Sequence, residues 1–119
     1  MKKILLALSL LMTANSVFSA VSEQYVRDVE RISSQYSADM KFFLRSLDPK
    51  ISQFNEKQQS QFCAIVKKYV DDMYSTTDKN RQYLPLSEQS MTKQTVIDKV
   101  MQSREMQLLK QYNIQCDLK

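Results

Sequence analysis

The sequence predicts an all-α domain: a small antiparallel bundle of three helices, or four on a second count, stapled by one disulfide. Three observations predict it. The chain has no Gly and only two Pro in 119 residues, so it lacks the φ > 0 residues on which tight β-hairpins depend. Apolar residues recur at helical spacing in three separate stretches. Two cysteines, Cys63 and Cys116, lie near ends of those stretches that an antiparallel arrangement would bring together.

Residues 1–19 read as a leader rather than as part of the fold. "MKKILLALSLLMTANSVFSA" opens on Lys2 and Lys3, continues with an apolar run from Ile4 to Met12, and ends in small and polar residues. That is the order of a secretory signal peptide. Val17 and Ser19 suit cleavage after Ser19, with Ala20 as the second choice. The apolar run is shorter than the roughly 20 residues a membrane span requires. The expected destination is the periplasm, with release outside the cell as the alternative, and residues 20–119 are expected to form one domain.

The first helix is expected over residues 22–47. Tyr25, Val29, Ile32, Tyr36, Met40, Phe43 and Leu47 follow one another at steps of three or four and mark one face. At 1.5 Å per residue it would run on the order of 39 Å. Asp48-Pro49 ends it, because a residue before proline is pushed out of the helical region. The second helix is expected over 55–75. Asn55 and Gln58 form the polar pair of a capping box, and Phe62, Val66, Tyr69 and Met73 mark the inner face.

Residues 76–89 are expected to be a long loop, of the kind that often carries function. The third helix is expected over 90–112, with Ser87 or Ser90 as its cap. Its stripe is Ile97, Val100, Met101, Leu108 and Tyr112, and Asn113 is its left-handed stop. The tail past Asn113 would fold back so that Cys116 meets Cys63, two turns into the second helix. In an exported chain such a pair reads as a structural disulfide. No C-x-x-C spacing favours redox chemistry.

Composition excludes several function classes. Without Gly there is no phosphate-cradling loop and no dinucleotide fingerprint. Without His there is no Ser-His or Cys-His catalysis and no ordinary zinc site. The chain carries 17 Lys and Arg against 13 Asp and Glu; loss of Lys2 and Lys3 with the leader leaves 15 against 13, a formal charge of +2. Those charges alternate in sign, as in "RDVER" and "KKYVDD", so a nucleic-acid footprint is absent.

Three clusters invite a chemical reading. "SMTK" (Ser90 to Lys93) fits the S-x-x-K pattern of serine acyl-transfer enzymes, but its companion motifs are missing, and a surface lysine after a capping serine is the expected outcome. Asp71, Asp72, Asp78 and Asn80 lack the EF-hand spacing and its Gly, and Lys67, Lys68, Lys79 and Arg81 would compete for the carboxylates. Arg104 falls in the middle of the third stripe, between Met101 and Leu108. There it would snorkel out or pair with Asp39, or, in the sharper reading, anchor a partner's carboxylate.

Phe42 and Met106 fall off their helical faces. Together with Tyr83, Leu84, Pro85 and Leu86 ("YLPL") they are candidate contact residues, although the four-residue segment would equally serve as a lid on the core. "FNEKQ" (Phe54 to Gln58) and "LSEQ" (Leu86 to Gln89) resemble in part the L-T-x-x-Q motif of periplasmic stress chaperones, and neither matches it in full. The sequence therefore predicts a non-enzymatic binding protein with no cofactor and no metal. Its partner would be another protein, and its role that of inhibitor, immunity protein or assembly factor. The alternatives are a chaperone-like stress protein with many clients, or a structural component of an envelope complex. The candidate contacts are Phe42, Tyr83, Leu84, Pro85, Leu86 and Arg104. A homodimer is a further alternative, and no transmembrane segment is expected in the mature chain.

Overall fold

The computed structural model describes the backbone of residues 2–119 and the side chains of residues 23–107 and 109–119. The leader reading of residues 1–19, with its cut after Ser19 or Ala20, lies outside those described side chains. The described chain is all-helical. Its elements are α1 (Lys2–Arg45), α2 (Glu56–Lys79), a 3-10 turn (Arg81–Tyr83), α3 (Leu86–Gln89), α4 (Lys93–Met101) and α5 (Arg104–Lys110). Five α-helices thus stand where three or four were expected.

α1 stops at Arg45, two residues before Leu47. The Ser46 and Leu47 amides tighten the last turn onto the carbonyls of Phe43 and Leu44 (3.0 and 3.3 Å), and the Ser46 hydroxyl also donates to Phe43 O. The chain then reverses through Asp48. Its carboxylate accepts the Lys50 amide at 2.9 Å and its carbonyl accepts the Ile51 amide at 3.1 Å, with Pro49 in the position where its fixed φ suits such a turn.

α2 begins with the expected capping box. Asn55 Oδ1 accepts the Gln58 amide at 2.7 Å, and Gln58 Oε1 accepts the Asn55 amide at 2.9 Å. Phe62, Val66, Val70 and Thr77 are its fully buried side chains, four positions that share one face at helical spacing. α1 lies antiparallel along this face. Phe43 meets Phe62, Tyr36 meets Tyr69, and Thr76 Oγ1 donates to Asp28 Oδ2 at 3.0 Å.

The region expected to be a loop is mostly ordered into short helix. α2 runs on to Lys79, and Asn80 closes it by donating from Nδ2 to the Thr76 carbonyl at 2.7 Å. Thr92, rather than Ser87 or Ser90, caps the next helix. Its hydroxyl and amide exchange hydrogen bonds with the amide and hydroxyl of Thr95, both at 3.2 Å.

The single expected third helix, 90–112, is broken at Gln102-Ser103. Neither Gly nor Pro marks the break. Ser103 Oγ instead accepts the Met106 amide, and Gln107 Nε2 donates back to the Met101 carbonyl at 3.0 Å. The serine thereby offers the backbone a new helix start in competition with continuation. The break resets the helical phase, so Met106, expected off the face, is 4% exposed in the core, while Arg104, expected mid-stripe, is exposed.

Asn113 adopts φ 60° as a left-handed stop. Past it the tail turns back along α2 and buries Ile114 and Leu118. Cys116 is bonded to Cys63 with their Cα atoms 5.3 Å apart, and Gln59 Nε2 donates to the Gln115 carbonyl at 3.0 Å. Among the described residues no helix is long and apolar enough to cross a membrane.

Candidate functional site

The residues singled out from the sequence do not converge on one place. Leu84 is buried, 7% exposed, whereas Tyr83, Pro85 and Leu86 are exposed beside it at the end of α2. Phe42 lies toward the opposite end of the bundle and is 79% exposed. At about 100° per residue it points to the side of α1 opposite Met40 and Leu44. Arg104 opens α5 and, among the described residues, forms no ion pair with Asp39. Asp39 accepts a hydrogen bond from Gln35 instead.

The chemical clusters resolve into ion pairs. Lys93 Nζ binds Asp71 Oδ1 at 2.8 Å, so the lysine of the S-x-x-K stretch is tied to a carboxylate rather than to Ser90. Asp71 also faces Lys67, Asp72 takes Lys68, and Asp78 takes Arg81. Each acid considered for calcium therefore carries a cation as its neighbour. No group of three or more His, Cys, Asp or Glu side chains able to hold a metal ion occurs among the described residues.

What the fold does assemble is a groove of about 340 Å³ between the second half of α1 and α5. Tyr36, Met40 and Leu44 form one wall and Leu109 the other, with Ser37, Lys41 and Glu105 at the rim. α1 supplies its wall because Tyr36, Met40 and Leu44 recur at i, i+4, i+8 and so stack along one edge of its buried stripe. α5 supplies the other because its reset phase turns Glu105 and Leu109 toward α1 while Met106 goes inward. Tyr36 packs against Tyr69 with ring centroids 4.5 Å apart. Burial pushes the Tyr36 phenol above its ordinary value, and the charges of Glu105 and, to a lesser degree, Tyr69 push it the same way.

Leu44, Lys41, Glu105 and Leu109 were not singled out from the sequence. Met40 and Leu44 carry a signal in retrospect: a second apolar pair at i, i+4, one step around the helix, widens the stripe beyond what one partner helix covers. Other hollows lie near Asp78 to Gln89, near Met101 and Asn113, and between Tyr36 and Lys99. No protein-family model, no curated protein and no solved structure matches this chain.

Proposed function

We propose that this chain is an exported, periplasmic protein that acts by binding another protein rather than by catalysis, as an inhibitor, immunity protein or assembly factor. The observation that carries the reading is the groove between α1 and α5. It is walled by Tyr36, Met40, Leu44 and Leu109, opens to solvent, and has Lys41 and Glu105 at its rim. Apolar concavities with a few charges at the edge are the usual form of a recognition site. The two cysteines are bonded to each other and Lys93 is paired with Asp71, so the thiols and the lysine of the S-x-x-K stretch are engaged elsewhere. Export is supported by the leader pattern of residues 1–19 and by a disulfide, a bond that persists in oxidising compartments.

A second reading, a chaperone with many clients, draws on the spread of exposed apolar side chains: Phe42 near one end, Tyr83 and Leu86 at the other. Photo-crosslinking in cells separates the two. A crosslinkable residue is placed at Leu44, in the groove, and in parallel at Phe42 and at Tyr83, and the captured proteins are identified by mass spectrometry. One dominant partner in fixed proportion is the expected result. A broad spread of unfolded envelope proteins would replace this reading with the chaperone, and no capture from any of the three positions would overturn both.

A further inference from the structure

The charges of the described chain are unevenly matched. Its ion pairs fall within α1 from Glu23 to Arg31 and within the region from Lys67 to Lys93. Around the groove and the disulfide, Lys41, Arg45, Lys50, Lys57, Arg104 and Lys110 form no ion pair among the described residues. The acids at that end are committed to local backbone or side-chain work. Asp48 accepts the Lys50 amide and Asp117 the Lys119 amide, Asp39 accepts from Gln35, and Glu56 sits in the first turn of α2, where the helix dipole favours a carboxylate. Glu105 is left inside the groove beside Tyr36. The result is an apolar groove whose α1 edge carries cations that form no ion pair among the described residues. Lys41 stands on its rim, Arg45 one turn further along α1, and exposed Arg104 opens α5 next to Glu105.

Building on the binding reading above, we infer that the groove takes an amphipathic helix of another protein, with an apolar ridge at i, i+4 spacing and carboxylates along the flank that meets α1. The ridge fills the space between Met40, Leu44 and Leu109, the helix-in-groove mode of recognition. The acidic flank meets Lys41 and Arg45, which form no ion pair among the described residues, and lies across the groove from Glu105 on α5. Exposed charges of this kind select the partner and speed encounter more than they add affinity, and salt screens them. A concave site with its apolar side chains set between two helices fits a helical ridge. A flat anionic bilayer would instead require those side chains to protrude.

The test uses the oxidised exported protein and two fluorescein-labelled synthetic helical peptides of sixteen residues. Both carry the same Leu ridge, one flanked by Glu and the other by Lys, and binding is followed by fluorescence anisotropy at low and high NaCl. The Glu-flanked peptide is expected to bind at least tenfold more tightly than its Lys twin and to lose that advantage in high salt. A Lys41→Glu, Arg45→Glu double variant, both positions being exposed and outside the core, is expected to invert the preference while keeping the helical circular dichroism spectrum. Leu44→Asp is expected to abolish binding of both peptides. Equal affinity for the twins, no saturable binding of either, or a preference untouched by the charge reversal would overturn the inference, as would sedimentation with phosphatidylglycerol vesicles without peptide binding. Capture of a partner from Tyr83 or Phe42 but not from Leu44 would sink this inference and leave the binding reading standing. Selective peptide binding with no partner caught in cells would do the reverse.

Discussion

At the disulfide end of the bundle, Phe43, Phe54 and Phe62 pack with ring centroids 5.5 to 6.0 Å apart, and the tail lays Ile114 and Leu118 over them under the Cys63–Cys116 bond. At the other end polar bonds join the packing of Val70, Met73, Met91 and Val96. Asn80 is buried and bonded to the Thr76 carbonyl, Thr76 reaches Asp28 on α1, and Arg81 donates to the carbonyls of Gln89 and Met91 while its other nitrogens meet Asp78. Burial of rings is non-directional and tolerates change on the surface around it. A hydrogen-bonded cap fails if one partner moves, because the other is left buried and unsatisfied. The contrast bears on function, because the groove runs from Tyr36 to Leu44 toward the end held by aromatic packing and a covalent link.

The largest break in this comparison comes from the disulfide. Cys63 and Cys116 are 53 residues apart, and closing a loop of that length is worth about 4 kcal/mol on the chain-entropy account. A Cys63→Ser, Cys116→Ser double variant is expected to lose about 2–4 kcal/mol in urea unfolding. Hydrogen exchange should show the loss of protection concentrated in residues 111–119 and the first turns of α2, with the Asn80 end less affected. Uniform loss along the whole chain would mean that the two ends do not differ as described.

The polar end should give way to a smaller change. Asn80→Ala removes the side chain that closes α2 and leaves the Thr76 carbonyl with only the Asn80 amide at 3.2 Å. The expected cost is about 1–3 kcal/mol, with exchange protection falling in residues 74–91 and holding around Phe62. A variant as stable as the parent would show that water substitutes for the amide, and would remove the distinction between the ends.

Legibility in the sequence followed how local each signal is. The Asn55–Gln58 capping box, the Asn113 stop and the inner face of Phe62 and Val66 each rest on residues within a turn or two of one another, and each is present. The disulfide was legible because the chain has two cysteines and the topology allowed them one meeting point. The break at Gln102-Ser103 was not legible, since Ser103 acts as a cap only in competition with a helix that could equally have continued. Everything that depends on the phase after it was misplaced with it: Arg104 went to the stripe and Met106 to the surface. Leu84 was obscure for another reason, as an irregular segment has no period from which to read its inward side. The groove needed both pieces, the wide stripe of α1 and the true phase of α5, so the sequence held only its Tyr36 and Met40, and those as core.

Tyr36 sits at the seam between the two ends and sharpens the comparison by the smallest expected effect. Its phenol is held above the ordinary 10.0, first by burial and then by the charges of Glu105 and Tyr69. A raised tyrosine pKa means that the folded state keeps a proton the unfolded chain has released. Its contribution is therefore fully present below pH 10 and is lost as pH climbs through the folded-state value. Tyr36→Phe has no proton to lose. Its stability curve is expected to track that of the parent up to about pH 10, the ordinary tyrosine value, and to fall less steeply above it; parallel curves from pH 9 to 11.5 would show that the seam does not perturb the phenol. Glu105→Gln divides the effect further. Because burial is the larger cause, removing the carboxylate should recover only part of the difference between the parent and Tyr36→Phe. Full recovery would instead mean that the groove is open enough to hydrate the ring and that Glu105 alone sets its titration.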